Sequence, residues 1–241
     1  IRKSRPRQYI HFCRQALRYA ATLPSPDLIF ASSPSLPQVA PALWLASRDR
    51  LPLVLEVRDL WPAFLEQGGL LRSGGGLAAM RLLEDLAYRR ADQVVAVSPA
   101  FSPYLHSMGV TESRLTIAPT GADPALLDPT DSAGQNWRTR HGLEDAFLVL
   151  YAGSFNSFYG VDLLEAAIDA SAGQPIHWLI AGAGEREESI KACTQRNHHA
   201  HYLGLLPKTE LLPVLSAADL GISIHAPWPL LETTLSGKLF D

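Results

Sequence analysis

Short apolar runs alternate along the chain with longer stretches whose apolar residues recur about every three or four positions. Each short run predicts a strand buried on both faces, and each longer stretch predicts a helix. In the first half the strands are expected at Leu28–Ala31, Leu53–Val57, Gln93–Val97 and Leu115–Ala118. Helices are expected at Pro37–Ser47, at Leu77–Arg90, and from Ser98-Pro99, where a capping serine precedes a proline. The second half repeats the alternation, with strands at Phe147–Ala152, Ile176–Ala181, His201–Leu203 and Leu220–His225. Its helices are expected near Val161–Ser171, Glu185–Arg196 and Lys208–Ala217. Strands separated by helices of this length imply parallel sheets with crossover helices, an α/β class. Between the halves, Pro124, Pro129, Asp131, Ser132 and Gly134 make a polar, breaker-rich stretch. It divides the chain into an N-terminal domain over 1–123, a linker over 124–146 and a C-terminal domain over 147–241.

Composition changes this picture little. Apolar residues make up 47% of the 241 and charged ones 19%, which suits a packed globular chain and excludes disorder. A net charge of −3 argues against nucleic acid as a partner. No apolar run is long enough for a membrane span. Cys13 and Cys193 are the only cysteines, with no metal spacing and no disulfide framework. That usage fits a cytoplasmic chain. The charge is uneven, however. Arg2, Lys3, Arg5, Arg7, Arg14 and Arg18 all precede the first acid, Asp27, with Tyr9, Ile10, Phe12, Leu17 and Tyr19 interleaved. Residues 2–19 therefore offer a basic amphipathic helix for an anionic membrane surface, at the inner face of the cytoplasmic membrane. The alternative is a helix with a solvated basic face.

Candidate chemistry collects at strand ends. Gly153-Ser154 follows one strand of the second half, and Gly182-Ala183-Gly184 follows the next. Glycine there lets backbone approach a ligand, and helix N-termini favour phosphate oxygens. Ligands of parallel sheets sit at the carboxyl ends of the strands, where both turns would lie. Each turn alone reads as a tight turn without a ligand. Both together, with Ser236-Gly237-Lys238 opening a third helix, point to a nucleotide or phosphorylated ligand. In the first half, Arg58-Asp59 ends a strand, either as a site pair, as a structural ion pair, or with Asp59 as a helix cap. His198, His199 and His201 cluster before a strand, and alternation would put His199 and His201 on one face. Without a third ligand no metal site is expected.

Several motifs in order resemble a known family. In the first half they are Ala31-Ser32-Ser33-Pro34, Glu56-Val57-Arg58-Asp59-Leu60-Trp61-Pro62, Ala91-Asp92-Gln93-Val94-Val95-Ala96-Val97-Ser98 and Pro119-Thr120-Gly121-Ala122-Asp123. In the second half they are Tyr151-Ala152-Gly153, Gly182-Ala183-Gly184, Tyr202-Leu203-Gly204 and the stretch from Glu232 to Asp241. This set resembles the family 4 glycosyltransferases of the GT-B fold, in the bacterial branch that builds surface polysaccharides. The resemblance implies two Rossmann-like parallel-sheet domains facing a cleft, both incomplete here. It implies transfer of a sugar, with retention and without metal or cofactor, from a nucleotide diphosphate sugar to a saccharide or lipid-linked acceptor. It places Gly153 and Ser154 near the donor phosphates, Gly182 and Gly184 near the nucleotide, Leu205 near the base and Asp241 on the ribose. Asp59 matches the acid of a His-Asp pair on the acceptor side.

The departures have consequences. Arg58 stands where many members carry His, and Ser154 and Tyr159 replace the Arg and Lys that usually neutralise the diphosphate. That charge must be met elsewhere, and Lys238 is the candidate. Thr233 occupies the first acidic position of the closing Glu-x7-Glu motif, with Glu232 one residue early, within reach of the sugar hydroxyls if the loop is shifted. The catalytic candidates are thus Arg58, Asp59 and Glu232. The chain opens at Ile1 and stops within the last expected helix, so a piece of a longer protein is expected, poorly active alone. A sugar-nucleotide epimerase of the same fold and a non-catalytic nucleotide-sugar binding protein are the competing readings.

Overall fold

The structure is a computed structural model, and it describes residues 5–69, 71, 74–121, 132–156 and 158–239. The chain divides into two compact units. The first takes residues 1–120 together with Trp228–Leu235, and the second takes 121–227 together with 236–241.

In the first unit, α1 (Arg5–Ala20) precedes β1 (Ile29–Ser33), and a 3-10 turn at Leu36–Val39 leads into α2 (Ala40–Asp49). The helix expected over 37–47 thus opens as a tighter turn, because Pro37 and Pro41 contribute no N–H to its first turns. Next come β2 (Leu53–Val57), α3 (Ala63–Gln67), α4 (Gly75–Arg90) and β3 (Gln93–Ala96). A 3-10 turn at Pro99–Phe101, α5 (Ser102–Ser107) and β4 (Leu115–Ile117) complete the series. The Ser98 hydroxyl accepts from the Ala100 N–H at 3.3 Å, as the cap reading expected. The four strands are parallel in the order β1-β2-β3-β4. Leu53, Leu55 and Val57 of β2 and Val94 and Ala96 of β3 anchor the core against Val39, Ala46, Ala87, Phe101 and Leu105. Buried backbone groups at its margin need polar partners. Asp92 accepts from the Leu53 N–H at 2.8 Å, and Arg90 donates to the carbonyls of Ala46 and Leu51 at 2.6 and 2.8 Å.

The second unit runs α6 (Ala133–His141), β5 (Phe147–Ala152), α7 (Val161–Ala170), β6 (Ile176–Ala181), α8 (Glu187–Arg196), β7 (Ala200–Gly204), α9 (Lys208–Ala217) and β8 (Leu220–Gly221). Its strands are parallel in the order β7-β6-β5-β8. Period-two alternation splits the core into two layers. Val149, Tyr151, Trp178 and Ile180 face Leu164, Ile168, Ile190 and Cys193 of α7 and α8. Leu148, Leu150 and Leu179 face the other way, onto Leu143 and the α9 residues Val214 and Ala217. Both halves therefore hold the parallel α/β sheets expected from the pattern.

Three stretches depart from it. The expected linker holds α6, which packs on α9, and Arg138 ties it down. That guanidinium donates to the carbonyls of Ala217 and Ala146, both at 2.9 Å, and to Asp219 at 2.7 Å. Residues 122–131 of the same stretch lie outside the described residues. The strand expected over 220–225 pairs with β5 only at Leu220 and Gly221. Ile222 still donates to Leu150, but β5 ends at Ala152, and the Ala226 N–H turns instead to the Phe158 carbonyl at 2.9 Å. The helix expected from Ser236 is a 3-10 turn at Gly237–Leu239, preceded by another at Pro229–Thr233 that belongs with the first unit.

Candidate functional site

Three strands of the second unit end around one cavity of about 570 Å³. Ala152, Gly153 and Ser154 follow β5 into it, Ala181, Gly182 and Ala183 follow β6, and Gly221, Ile222 and Ser223 follow β8. Leu205, Leu206 and Lys208 bridge β7 and α9, and Lys238 closes the lining. This is the carboxyl edge of a parallel sheet, where crossover helices leave room for ligands.

The glycine turns have a packing reason before any ligand is considered. Gly182 sits at φ +146°, and a Cβ there would lie 1.8 Å from the Gly153 carbonyl oxygen. A Cβ on Gly184 would lie 2.4 Å from the Phe155 carbonyl oxygen. The Phe155 N–H donates to Ala183 O at 3.0 Å, and Gly153 N–H donates to Ala181 O at 2.9 Å. Bare glycines thus let the two turns zip together by backbone bonds. Gly182 lines the cavity, whereas Gly184 spends its open face on Phe155 and is not among the lining residues. Leu205 is 77% exposed at the rim.

Among the described residues that line the cavity, the ionisable ones are Lys208 and Lys238, both positive. The Lys238 ammonium is buried and makes no hydrogen bond among the described residues. Burial lowers its pKa to about 8, since the charged form loses solvation. The Ser223 hydroxyl, on the same lining, is likewise buried without a partner among the described residues. Buried polar groups are nearly always paired. Two unpaired ones facing one cavity are what a polar, anionic ligand would satisfy.

The first unit holds the other expected residues. Arg58 and Asp59 follow β2, and the Arg58 N–H donates to Ser33 O at 3.0 Å. Asp59 is half-buried; burial raises its carboxyl to about 6, against the lowering pull of Arg58. No ion pair within 4.0 Å joins the two among the described residues, and α3 is capped from Pro62 without a side chain, so neither structural alternative for Asp59 describes it. Glu232 is exposed on the 3-10 turn at Pro229–Thr233. Asp241 lies outside the described residues.

The histidines disperse. Because β7 begins at Ala200, His199 is outside the strand and its Nε2 lies 3.1 Å from Ile168 O, while His201 Nε2 meets His177 Nδ1 at 3.1 Å. Among the described residues no group of three or more His, Cys, Asp or Glu could hold a metal ion. Sequence reasoning missed Lys208, Ser223 and the pair Tyr151 and Tyr159 beside Lys238. Only Lys208 had a local signal, as the residue opening a helix after Pro207.

Comparisons with known proteins bear on both units. Residues 2–121 match the glycosyl transferase 4-like domain. No curated protein matches the chain. Among solved structures, Anabaena Alr3699/HepE in complex with UDP-glucose superposes with a TM-score of 0.68 at 21% identity, covering 90% of this chain and 57% of that one. Sucrose-phosphate synthase from Thermosynechococcus elongatus gives 0.66 at 20%, over 91% and 56%. The catalytic domain of starch synthase IV from Arabidopsis thaliana, bound to ADP and acarbose, gives 0.67 at 17%, over 92% and 57%. The chain thus spans just over half the length of these structures, and the fold they share is of the GT-B type.

Proposed function

Because residues 2–121 belong to the glycosyl transferase 4-like domain family, we propose that this chain is part of a glycosyltransferase that draws a sugar from a nucleotide diphosphate donor. The observation that carries the proposal is the buried Lys238 ammonium, which has no hydrogen-bond partner among the described residues, in a cavity whose described ionisable lining residues are both lysines. As the bond from the anomeric carbon to the diphosphate breaks, negative charge collects on the leaving oxygen. Ammonium groups and turn N–H groups already aimed there stabilise that charge. Lys238 and Lys208 take the place of the Arg and Lys that Ser154 and Tyr159 replace. Gly153, Ser154 and Gly182 present backbone to the donor, Gly184 acts by holding the turns together, and Leu205 supplies an apolar rim for the base. Asp241 is assigned to the ribose on the motif alone.

The transfer is proposed to retain anomeric configuration and to proceed without a metal, the phosphate charge being met by lysines. Asp59, poised at about 6 by burial with Arg58 pulling the other way, accepts the proton of the acceptor hydroxyl in its ionised form. Glu232 is assigned to sugar hydroxyls. The acceptor is proposed to be a saccharide, free or lipid-linked, in surface polysaccharide synthesis. A membrane role has its own support: α1 exposes Ile10, Phe12 and Tyr19 beside Arg7, Arg14 and Arg18. No described helix is long and apolar enough to cross a membrane. An epimerase would want acids as well as bases at the sugar, and among the described residues no acid lines this cavity.

Calorimetric titration of UDP, GDP and ADP, with and without EDTA, tests the reading. Saturable binding of one diphosphate, unchanged by EDTA and lost in Lys238→Met, is expected. No binding by a folded chain would overturn it.

A further inference from the structure

Lys238 is not held as a surface lysine would be. Its Nζ stands 4.5 Å from the centre of the Tyr151 ring and 4.4 Å from that of Tyr159. Aromatic faces are electron-rich, so two of them return part of the solvation that the buried ammonium has lost. Each ring has its own mount. The Tyr151 hydroxyl donates to Ser154 O at 2.9 Å, and its ring stacks on Phe155 with centres 6.0 Å apart. The Tyr159 N–H donates to Asn156 O at 3.1 Å, and its ring lies against His225 at 5.7 Å. The space between is kept by Gly153, where an added Cβ would lie 2.7 Å from Lys238 Nζ. Gly153 therefore leaves room for the lysine head as well as for the close turn.

We propose that Tyr151, Tyr159 and Gly153 form a cradle that holds the Lys238 ammonium at the cavity wall and aims it at the phosphate groups of the ligand. Tyr151 and Tyr159 are positioning residues, acting through Lys238. This rests on the reading of the cavity as a nucleoside diphosphate site. Among the described residues, the titratable groups around the ammonium are Tyr151 of β5, Tyr159 ahead of α7, His225 after β8 and, on the same cavity lining, Lys208 at the start of α9, and none of these is a carboxylate. Burial and Lys238 together hold His225 below its ordinary value, and burial raises Tyr151. An arriving phosphate supplies the ammonium with an anion, so binding takes up a proton where the empty site has lost it.

The test compares wild type with Tyr159→Phe, Tyr159→Leu and Gly153→Ala. Tyr159 is only half-buried, so leucine there opens no core cavity. Uridine, which has no phosphate, and UDP are titrated by calorimetry at about pH 7 and about pH 9 in two buffers of different ionisation enthalpy. If GDP or ADP is the diphosphate that binds wild type, it and its nucleoside replace them. Wild type and Tyr159→Phe are expected to bind the diphosphate more weakly at the higher pH, with proton uptake. Tyr159→Leu is expected to lose about 3- to 30-fold in diphosphate affinity, the range of one cation–π contact, with nucleoside affinity unchanged. Gly153→Ala is expected to show the same selective loss. Equal loss for nucleoside and diphosphate, or none for either, overturns the cradle. The cradle is also read without ligand, by carbon NMR of dimethylated lysines, the Lys238 signal being the one missing in Lys238→Met. Its midpoint must fall in Tyr159→Leu, and an unmoved midpoint overturns the proposal. A wild type that binds no diphosphate yet shows that fall would sink the donor-site reading alone.

Discussion

Glu84 is 1% exposed and accepts a hydrogen bond from the Tyr104 hydroxyl at 2.8 Å. Burial outweighs the hydrogen bonds from Tyr104 and Tyr88 and the pull of Arg81, and raises its carboxyl from 4.5 to about 7. Between those values the folded chain binds more protons than the unfolded one. The stability this confers is complete at low pH and is lost as pH rises through about 7. Glu84→Gln keeps an acceptor for Tyr104 and removes the ionisation. Urea unfolding is expected to show wild type losing about 1–3 kcal/mol more than the variant between mildly acidic and mildly alkaline pH. Asp59 shifts in the same direction, to about 6, so its folded form also resists ionising. If it accepts the acceptor proton, the rate of sugar transfer should fall on the acid side with a midpoint near about 6. Asp59→Asn should abolish that limb along with most of the rate. A variant retaining the limb would remove Asp59 from the chemistry.

Between elements, the contact with least tolerance is that of the β5 and β6 turns. Gly182→Ala places a methyl group on the Gly153 carbonyl, and backbone cannot yield as a side chain can. Thermal unfolding is expected to report a loss of about 2–4 kcal/mol, with diphosphate binding lost as well. Arg138→Met removes the donors that serve the part-buried carbonyls of Ala217 and Ala146 and the exposed Asp219, and about 1–3 kcal/mol of destabilisation is expected. The strands at Leu53–Val57, Phe147–Ala152 and Ile176–Ala181 and the helix at Lys208–Ala217 lie where the hydrophobic pattern put them. Each is a run whose own residues decide its state; the strands are ended by Gly or by a charged pair, and the helix opens after Pro207. The pattern failed where distant partners decide. Leu220–His225 has strand composition throughout, yet its length is set by where β5 stops. The polar stretch around Gly134 reads as a linker, yet a helix docks there because a Cβ at Gly134 would meet the Ser216 carbonyl, so glycine permits the approach. Gly153 and Gly182 were legible as cavity residues, but the tyrosine faces beside Lys238 were not, since no spacing rule joins positions 151, 159 and 238.

Over the whole molecule, the chain crosses between units more often than a two-half reading expects. Trp228–Leu235 belongs to the first unit although residues on both sides of it belong to the second. Trp228 lies over Gly68 and edge-on to Phe64 at 6.4 Å, the Leu230 N–H donates to Gln67 at 2.9 Å, and Ser98 Oγ donates to Thr233 O at 2.7 Å. Glu232 and Lys238 are therefore divided between the two units although only a short turn separates them in the chain. Trp228→Ala is expected to raise amide exchange in α3 while leaving β5 protected; equal loosening of both would show that the segment does not belong to the first unit alone. The lining of the cavity has an optical consequence. Trp44, Trp61, Trp137, Trp178 and Trp228 are the only tryptophans, and none of them lines it. Intrinsic fluorescence has no direct view of that space, and an unchanged emission spectrum would not mean an empty site. Leu205, exposed at the rim, is the place to install an indole: Leu205→Trp would give the cavity a lamp of its own.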